Sequence, residues 1–476
     1  MRDAITSRIG RWRDKTATAS DRRAWLRVFL LVLPIFVLTA HYAVVSVDTL
    51  SSYVPAWHFV HHGNLWLEDM ENPPYWSVDG AHHLVSNRTP GVILVNVPVY
   101  LLLFFLGPVP LGGALTAALL TAATVATLYV VARRLSSPNV ALAVAMVAAF
   151  GTSLWSVASA EIWTHTVDAL CLAVAMLFLT RNRYLAAGAV IGLASTARPH
   201  LIVVAAVLGL YLAFHHRSLR PAVVVGVGSA PGFAALLLLN HAVYGRWTVS
   251  GYAGYVTQNL TTGSVSSSPG QTGVSAMAEH YLSNIGGFLF SPLCGVLLYL
   301  PAALLVIVAL RPAWRAAPAW CRGMLLGGVA YSLVQLKINS YVGGAAFYGY
   351  RLATELVICA CPMAVFAYTH WASQRQWRVS AVKSLAVASV VIQAVGVTCY
   401  DLARSAPVKP WASDFLAAFA NSPLIATTVV IGGISAATLW CTGRREGDRP
   451  APATLAAEPR CRLVVGTGGL VDSLQQ

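Results

Sequence analysis

Charged side chains are scarce in this 476-residue chain. Asp, Glu, Lys and Arg together make up 11% of it, whereas a soluble domain carries about 25%. Lysine is nearly missing, since 28 of the 32 basic residues are arginine; with the Ala and Gly content this points to GC-rich coding, not to a function. Cysteine supplies no framework. The eight cysteines include no C-x-x-C pair, and Cys171, Cys359, Cys361, Cys399 and Cys441 fall inside apolar runs, where a thiol is a small polarizable hydrophobe. Gly-x-Ser-x-Gly, P-loop and Rossmann glycine patterns are absent from any setting that would give them meaning. These absences exclude a soluble domain, a disulfide scaffold and a nucleotide-binding α/β enzyme.

What the chain has instead is apolar length. Apolar residues make up 57%, and runs long enough to cross a bilayer of ~30 Å recur from Arg27 to Trp440. We expect an all-α, polytopic membrane protein with about twelve spans: 27–46, 111–132, 139–158, 166–180, 183–197, 199–214, 221–240, 288–309, 322–339, 352–370, 381–399 and 423–441. Residues 1–26 read as a basic cytoplasmic arm before a signal anchor, 27–441 as the membrane domain, and 442–476 as a disordered cytoplasmic tail. The net charge of +14 sits in small clusters between apolar runs. It forms no face with interleaved aromatics, so nucleic acid is not an expected partner. With the N-terminus inside, alternate loops hold 25 of the 32 basic residues, as cytoplasmic loops do. The other seven are Arg88, Arg198, Arg246, Lys337, Arg351, Arg404 and Lys409.

That frame leaves two long external loops, about 47–110 and 241–287. The apolar stretch 92–106 inside the first would invert the frame if it crossed. It is therefore expected to lie in the outer leaflet as a juxtamembrane or re-entrant helix packed on protein. No internal repeat and no paired interrupted helices suggest a transporter built of inverted halves.

The residues costliest to embed cluster at the external ends of the spans: Asp48, Glu161, His165, Asp168, Arg198, His200, Arg351 and Glu355. Each costs about 2.5–3.5 kcal/mol at mid-membrane, less near an interface, so each needs a partner, a cavity or a task. Contact with lipid headgroups is the plain alternative for any one of them. Asp48 opens the first loop, where a partly desolvated carboxylate can take a proton from a hydroxyl. Arg88 stands just before Pro90-Gly91, at the height of a lipid phosphate. Pro199 breaks the helix ladder between Arg198 and His200. Arg351 and Glu355 are spaced i,i+4, which allows a pair. Two arginines from separate loops can form a fork-shaped phosphate clamp. Asp79-Gly80 between apolar arms suggests a hairpin turn. His58, His61 and His62 have spacing that suits zinc, but no third-ligand pattern stands nearby, and Glu68-Asp69-Met70-Glu71 reads as a solvated loop face.

In order along the chain, these features resemble the GT-C superfamily of polyprenyl-phosphate-sugar-dependent glycosyltransferases, the branch holding protein O-mannosyltransferases and lipid A aminoarabinose transferases. The residues that carry the resemblance are Asp48, Arg88-Thr89-Pro90-Gly91, Asp168, Gly192-Leu193-Ala194-Ser195-Thr196-Ala197-Arg198-Pro199, Gly287-Phe288-Leu289-Phe290-Ser291-Pro292 and Gly343-Gly344 with Tyr348-Gly349-Tyr350-Arg351. Thr89 stands where relatives carry a first proline, and Thr49 where many carry a second acid. The resemblance implies an inverting transfer on the non-cytoplasmic face, with Asp48 as general base and Arg88, Arg198 and Arg351 on the donor phosphate. His165, Asp168, His200, Tyr348, Tyr350 and Glu355 would support the site or bind sugar. The implied partners are a polyprenyl-phosphate sugar, a cell-envelope glycan, glycolipid or protein acceptor, and membrane lipids. No cofactor is called for, no metal ligands are assigned, and divalent-metal dependence stays open. Two other readings stand beside this one: a transporter or flippase of a lipid-linked sugar or small solute, and a silent scaffold. Transport would place charges on both sides of the midplane, whereas here they gather on one.

Overall fold

A computed structural model describes residues 2–42, 46–70, 77–80, 83–250, 255–258, 265–268, 281–343 and 347–398. The expected last span 423–441 and the tail 442–476 lie outside the described residues.

The chain is helical, with two short antiparallel hairpins. In order, the elements are α1 (Arg2–Leu38), α2 (Val47–His62), β1 (Ser77–Gly80), β2 (His83–Ser86), α3 (Pro90–Leu94), α4 (Val97–Leu102), α5 (Pro110–Leu135) and α6 (Pro138–Phe150). There follow α7 (Thr164–Leu179), α8 (Tyr184–Ala194), α9 (Ile202–His216), α10 (Arg220–Tyr244), β3 (Tyr255–Gln258), β4 (Val265–Ser268) and α11 (Tyr281–Phe290). The last are α12 (Val296–Tyr299), α13 (Ala303–Val308), α14 (Leu310–Ala316), α15 (Ala319–Ile338), α16 (Thr354–His370) and α17 (Gln376–Thr398). Among the described residues, five helical stretches are long and apolar enough to cross a membrane: Pro110–Leu135, Pro199–His216, Arg220–Tyr244, Thr354–Gln374 and Gln376–Val397.

Local chemistry sets the boundaries. Ser46 caps α2 by accepting from the Asp48 N–H, and Gly63 ends it with φ near +75°. Pro110 and Pro138 occupy first-turn positions of α5 and α6, where the missing N–H costs nothing. Around 92–106, α3 and α4 follow one another in the apolar helical stretch Pro90–Leu102, which is shorter than the five long apolar helices.

Two expectations need correcting. Residues 288–309 do not form one span but three short helices, interrupted around Pro292, Gly295 and Pro301, because neither proline can continue the hydrogen-bond ladder. The first-loop hairpin closes with Gly80 opposite His83 and Asp79 opposite Leu84. Asp79-Gly80 therefore belongs to a strand and does not form the turn.

α5 is the buried centre, packed by α1, α6 and α7 through small residues such as Ala117, Ala118, Ala122 and Ala126. Leu102, Phe105, Phe214 and Leu282 stand out from the bundle, and α10 shows a row of exposed apolar residues, Val223, Val227 and Leu238. A soluble protein does not leave such faces bare. At one end of the bundle, Asp21 accepts from Arg134 at 2.6 Å and lies 4.0 Å from Arg181. These residues come from three segments that the charge pattern assigns to the same side.

α8 and α10 approach backbone to backbone. A methyl group on Gly188 would lie 2.3 Å from the Val225 carbonyl, one on Gly192 2.3 Å from the Ser229 carbonyl, and one on Gly228 2.3 Å from the Leu185 carbonyl. The glycines at 188 and 192 thus face those at 228 and 232, the small-xxx-small contact of membrane helices. Gly226, also on α10, faces open space. Gly192→Ile should lower stability by about 1–3 kcal/mol and cut the yield of monodisperse protein. Gly226→Ala should be neutral or slightly stabilising, within about 1 kcal/mol. Thermal unfolding in detergent checks the contrast.

Candidate functional site

The first turn of α2 carries Asp48, where the positive end of the helix dipole favours a carboxylate. One carboxylate oxygen accepts from Arg88 Nη2 at 2.7 Å and the other from Arg351 Nη1 at 3.0 Å. Asp48 and both arginines are largely withdrawn from solvent.

Arg88 is aimed by the turn that follows it. Its N–H donates to Ser86 Oγ, whose own hydroxyl donates to the Ser51 carbonyl at 2.6 Å. Tyr244 donates to the carbonyls of Ser86 and Arg88. Thr89 donates to the Ala197 carbonyl at 2.6 Å, and the Gly91 N–H to the Thr196 carbonyl at 3.0 Å. A side chain on Gly91 would meet Thr196 Oγ1 at 2.4 Å, so only glycine allows this turn to dock on the segment leading into Arg198.

Arg351 is held on all sides. Trp163 lies 4.4 Å and Phe347 4.9 Å from its guanidinium carbon. Nη2 also donates to the Gly343 carbonyl. The two rings stand edge to face, 6.0 Å apart, and form a corner against the guanidinium, a setting that suits the flat, multi-donor head of Arg better than the ammonium of Lys.

Deeper in the bundle, His165 at the start of α7 bonds through Nδ1 to Glu355 Oε1 at 2.7 Å. Arg198 Nη1 lies 2.7 Å from the His165 ring nitrogens and 3.5 Å from that same glutamate oxygen. Asp168 is fully buried beside Glu355 and Arg198. Its carboxyl faces the carboxyl of Glu355. His200 contacts Gln335 Oε1 and stacks on Tyr331 at 4.9 Å. Arg351 lies near enough to both Arg88 and Arg198 to feel their charges, so the outer triad and the inner cluster are electrostatic neighbours.

Asp48, Arg88, Arg198, Arg351, His165, Asp168, His200 and Glu355 are thus brought together. The expected Arg351–Glu355 pair is not formed. Arg351 precedes the Ala353 cap of α16, so helical spacing does not apply to it, and it binds Asp48 instead. Tyr348 and Tyr350 are buried in an apolar cluster with Tyr299 and Leu352, and Tyr350 accepts from the Ser153 N–H.

Glu161 was legible as an unusual acid but not as a member of the site. It accepts from Thr49 and lies 3.1 Å from His41 Nδ1. A second carboxylate therefore stands next to the residue after Asp48, supplied by a different segment. His61 is likewise not paired with His58 and His62, since its ring nitrogens face the carbonyls of Trp57 and Phe104. A mainly apolar cavity of about 440 Å3 is lined by residues that include Leu356, Ala360 and Ala364 of α16 but not Glu355.

No protein-family model matches the chain, and no curated protein does. Among solved structures, it is similar to the crystal structure of the Archaeoglobus fulgidus oligosaccharyltransferase in complex with Zn and sulfate, at 13% identity and a TM-score of 0.40 over 85% of this chain and 56% of that one. It is also similar to a crystal structure of that oligosaccharyltransferase tethered by a disulfide bond to an acceptor peptide containing the NVT sequon. There the identity is 12% and the TM-score 0.38, over 85% of this chain and 58% of that one. The chain spans a little over half the length of these structures.

If both carboxylate oxygens of Asp48 carry the tie between loops, Asp48→Asn and Arg88→Gln should not be additive. A double-mutant cycle read by thermal unfolding should give a coupling of about 1–3 kcal/mol. Additivity within about 0.3 kcal/mol would remove the tie.

Proposed function

We propose that the chain is a membrane glycosyltransferase of GT-C type, moving a sugar from a polyprenyl-monophosphate donor to an acceptor hydroxyl with inversion at the anomeric carbon. The observation that carries this reading is the pairing of Asp48 with Arg88 and Arg351. A base and two phosphate-binding forks, from three segments far apart in sequence, meet at one point.

Two guanidiniums on one carboxylate leave a net positive charge in a desolvated place, which suits an anion. An incoming phosphate competes with Asp48 for the same donors. As it draws Arg88 and Arg351 toward itself, lone pairs of Asp48 open to the acceptor hydroxyl. Asp48 then takes the hydroxyl proton while the oxygen attacks the anomeric carbon. The bond from that carbon to the phosphate oxygen breaks, and the arginines stabilise the charge growing on the leaving phosphate. Arg198, held by His165 and Glu355, sits behind them as a third cation. Glu161, through Thr49, orients the start of α2. Trp163 and Phe347 fix the plane of Arg351, which matters because a misplaced donor loses most of its effect on the transition state.

The resemblance places the acceptor among cell-envelope glycans, glycolipids or proteins, with mannose or arabinose as the first donor sugars to try. On the distribution of Lys and Arg, the site would face the non-cytoplasmic side, with both termini inside.

Membranes carrying Asp48→Asn, given radiolabelled polyprenyl-phosphate sugars, should transfer about 10²–10⁴-fold more slowly than wild type. Transfer at the wild-type rate would end the base assignment. Arg351→Lys keeps the charge but loses the fork and the stacking, so it should raise the donor KM at least about ten-fold; an unchanged KM would remove Arg351 from the donor site.

A further inference from the structure

The far end of α2 carries a cluster that the transfer reaction does not use. His58 and His62 stand one helical turn apart, with ring centroids 4.3 Å from each other. Asp69, from the loop after α2, reaches back across them. Its Oδ1 lies 2.8 Å from His58 Nε2 and its Oδ2 3.7 Å from His62 Nδ1. The three ligand atoms all lie within 4.8 Å of one another. At a rise of ~1.5 Å per residue, the cluster is about 15–21 Å along the helix from Asp48.

His58 is the informative member. Its ring is buried, and Nδ1 lies 3.1 Å from the Asn64 carbonyl oxygen. A carbonyl only accepts, so Nδ1 carries a proton and donates it. Nε2 then faces a carboxylate oxygen, which also only accepts. A buried imidazole between two acceptors is satisfied either as an imidazolium or by a cation shared between Nε2 and the carboxylate. A ring whose remote N–H is held by a backbone carbonyl is the usual second-shell arrangement of a metal-bound histidine. His62 then stands ready as a further ligand.

We propose that His58, His62 and Asp69 bind one divalent cation of the zinc type. Two imidazoles and a carboxylate suit Zn²⁺ and disfavour Mg²⁺ or Ca²⁺, which take oxygen ligands. Tetrahedral binding at ~2.0–2.1 Å separates ligand atoms by about 3.4 Å. One Asp69 oxygen and the two histidine nitrogens, which lie within 4.8 Å of one another, reach that spacing by small side-chain rotations. The fourth position is left to water. His61, turned to the carbonyls of Trp57 and Phe104, is not a ligand.

The ion would act as a clasp. The loop that carries Asp69 is tied to β2, since the Leu67 N–H donates to the Leu84 carbonyl and Glu68 accepts from the Leu84 N–H and contacts His83. β2 leads directly to Arg88. One bound cation thus fixes the end of α2 opposite Asp48 to the strand that delivers Arg88.

The test uses the full chain in detergent, stripped with a chelator and titrated with zinc chloride, with bound metal counted by mass spectrometry and affinity read by calorimetry. Wild type should bind one equivalent and gain thermal stability. His62→Ala and Asp69→Asn, both at exposed positions, should lose at least about ten-fold in affinity and lose the zinc-dependent stabilisation while staying monodisperse. His61→Ala should bind as wild type does. No zinc binding by wild type, or unchanged binding in the His62 and Asp69 variants, would overturn the proposal. Loss of binding in the His61 variant would overturn the ligand set.

Discussion

Asp48 shares its carboxylate between guanidiniums 40 and 303 residues away in sequence, and the arrangement of the surrounding segments depends on that contact. Removing Asp48 would leave two largely shielded guanidiniums without their shared counter-charge, the costly way to break such a contact. The first-loop turn, the start of α2 and the segment before α16 are therefore held in one relative position. The same contact leaves more positive than negative charge at a place shielded from water. On the proposed reading, a donor phosphate would supply the second negative charge to the triad.

The apolar scaffold makes that contact possible. Gly91 lets the turn after Arg88 lie directly on the Thr196–Ala197 backbone, and the glycines of α8 and α10 let those helices touch without side chains between them. Close backbone approach at both places places Arg88 and Arg198 within a common electrostatic neighbourhood. Packing of small residues around α5 then leaves the costly polar groups nowhere to go except toward one another. The inner cluster of His165, Glu355, Arg198 and Asp168 is the consequence: each group finds its partners across helices, not along one.

Much of this was legible in the sequence, and the parts that were not share a cause. Apolar run length located the long helices, and the charge pattern kept 92–106 from being counted as a span. The rarity of ionisable groups in apolar surroundings picked out Asp48, Glu161, His165, Asp168, Arg198, His200, Arg351 and Glu355 before any geometry was known. Their pairings could not be read the same way. Spacing of i,i+4 is informative only inside a helix, and Arg351 stands outside one. Thr49 in place of an acid looked like a loss, yet Glu161 reaches it from 112 residues away. His61 looked as good a ligand as His58 and His62, while Asp69 looked like solvated loop. Only the fold of that loop, set by Leu67 pairing with Leu84, turns Asp69 toward the two histidines. The long stretch 288–309 read as one span because apolar content outweighed its prolines.

The central claim is that Asp48 and a donor phosphate compete for the same two arginines. It is tested most directly by a structure of the full chain with a non-transferable polyprenyl-phosphonate sugar bound in lipid nanodiscs. The account predicts the phosphonate oxygens within hydrogen-bonding distance of Arg88 and Arg351, with at least one of these drawn off Asp48 and the anomeric carbon facing the freed carboxylate. A phosphonate bound elsewhere, with the Arg88–Asp48–Arg351 contact intact, would contradict it.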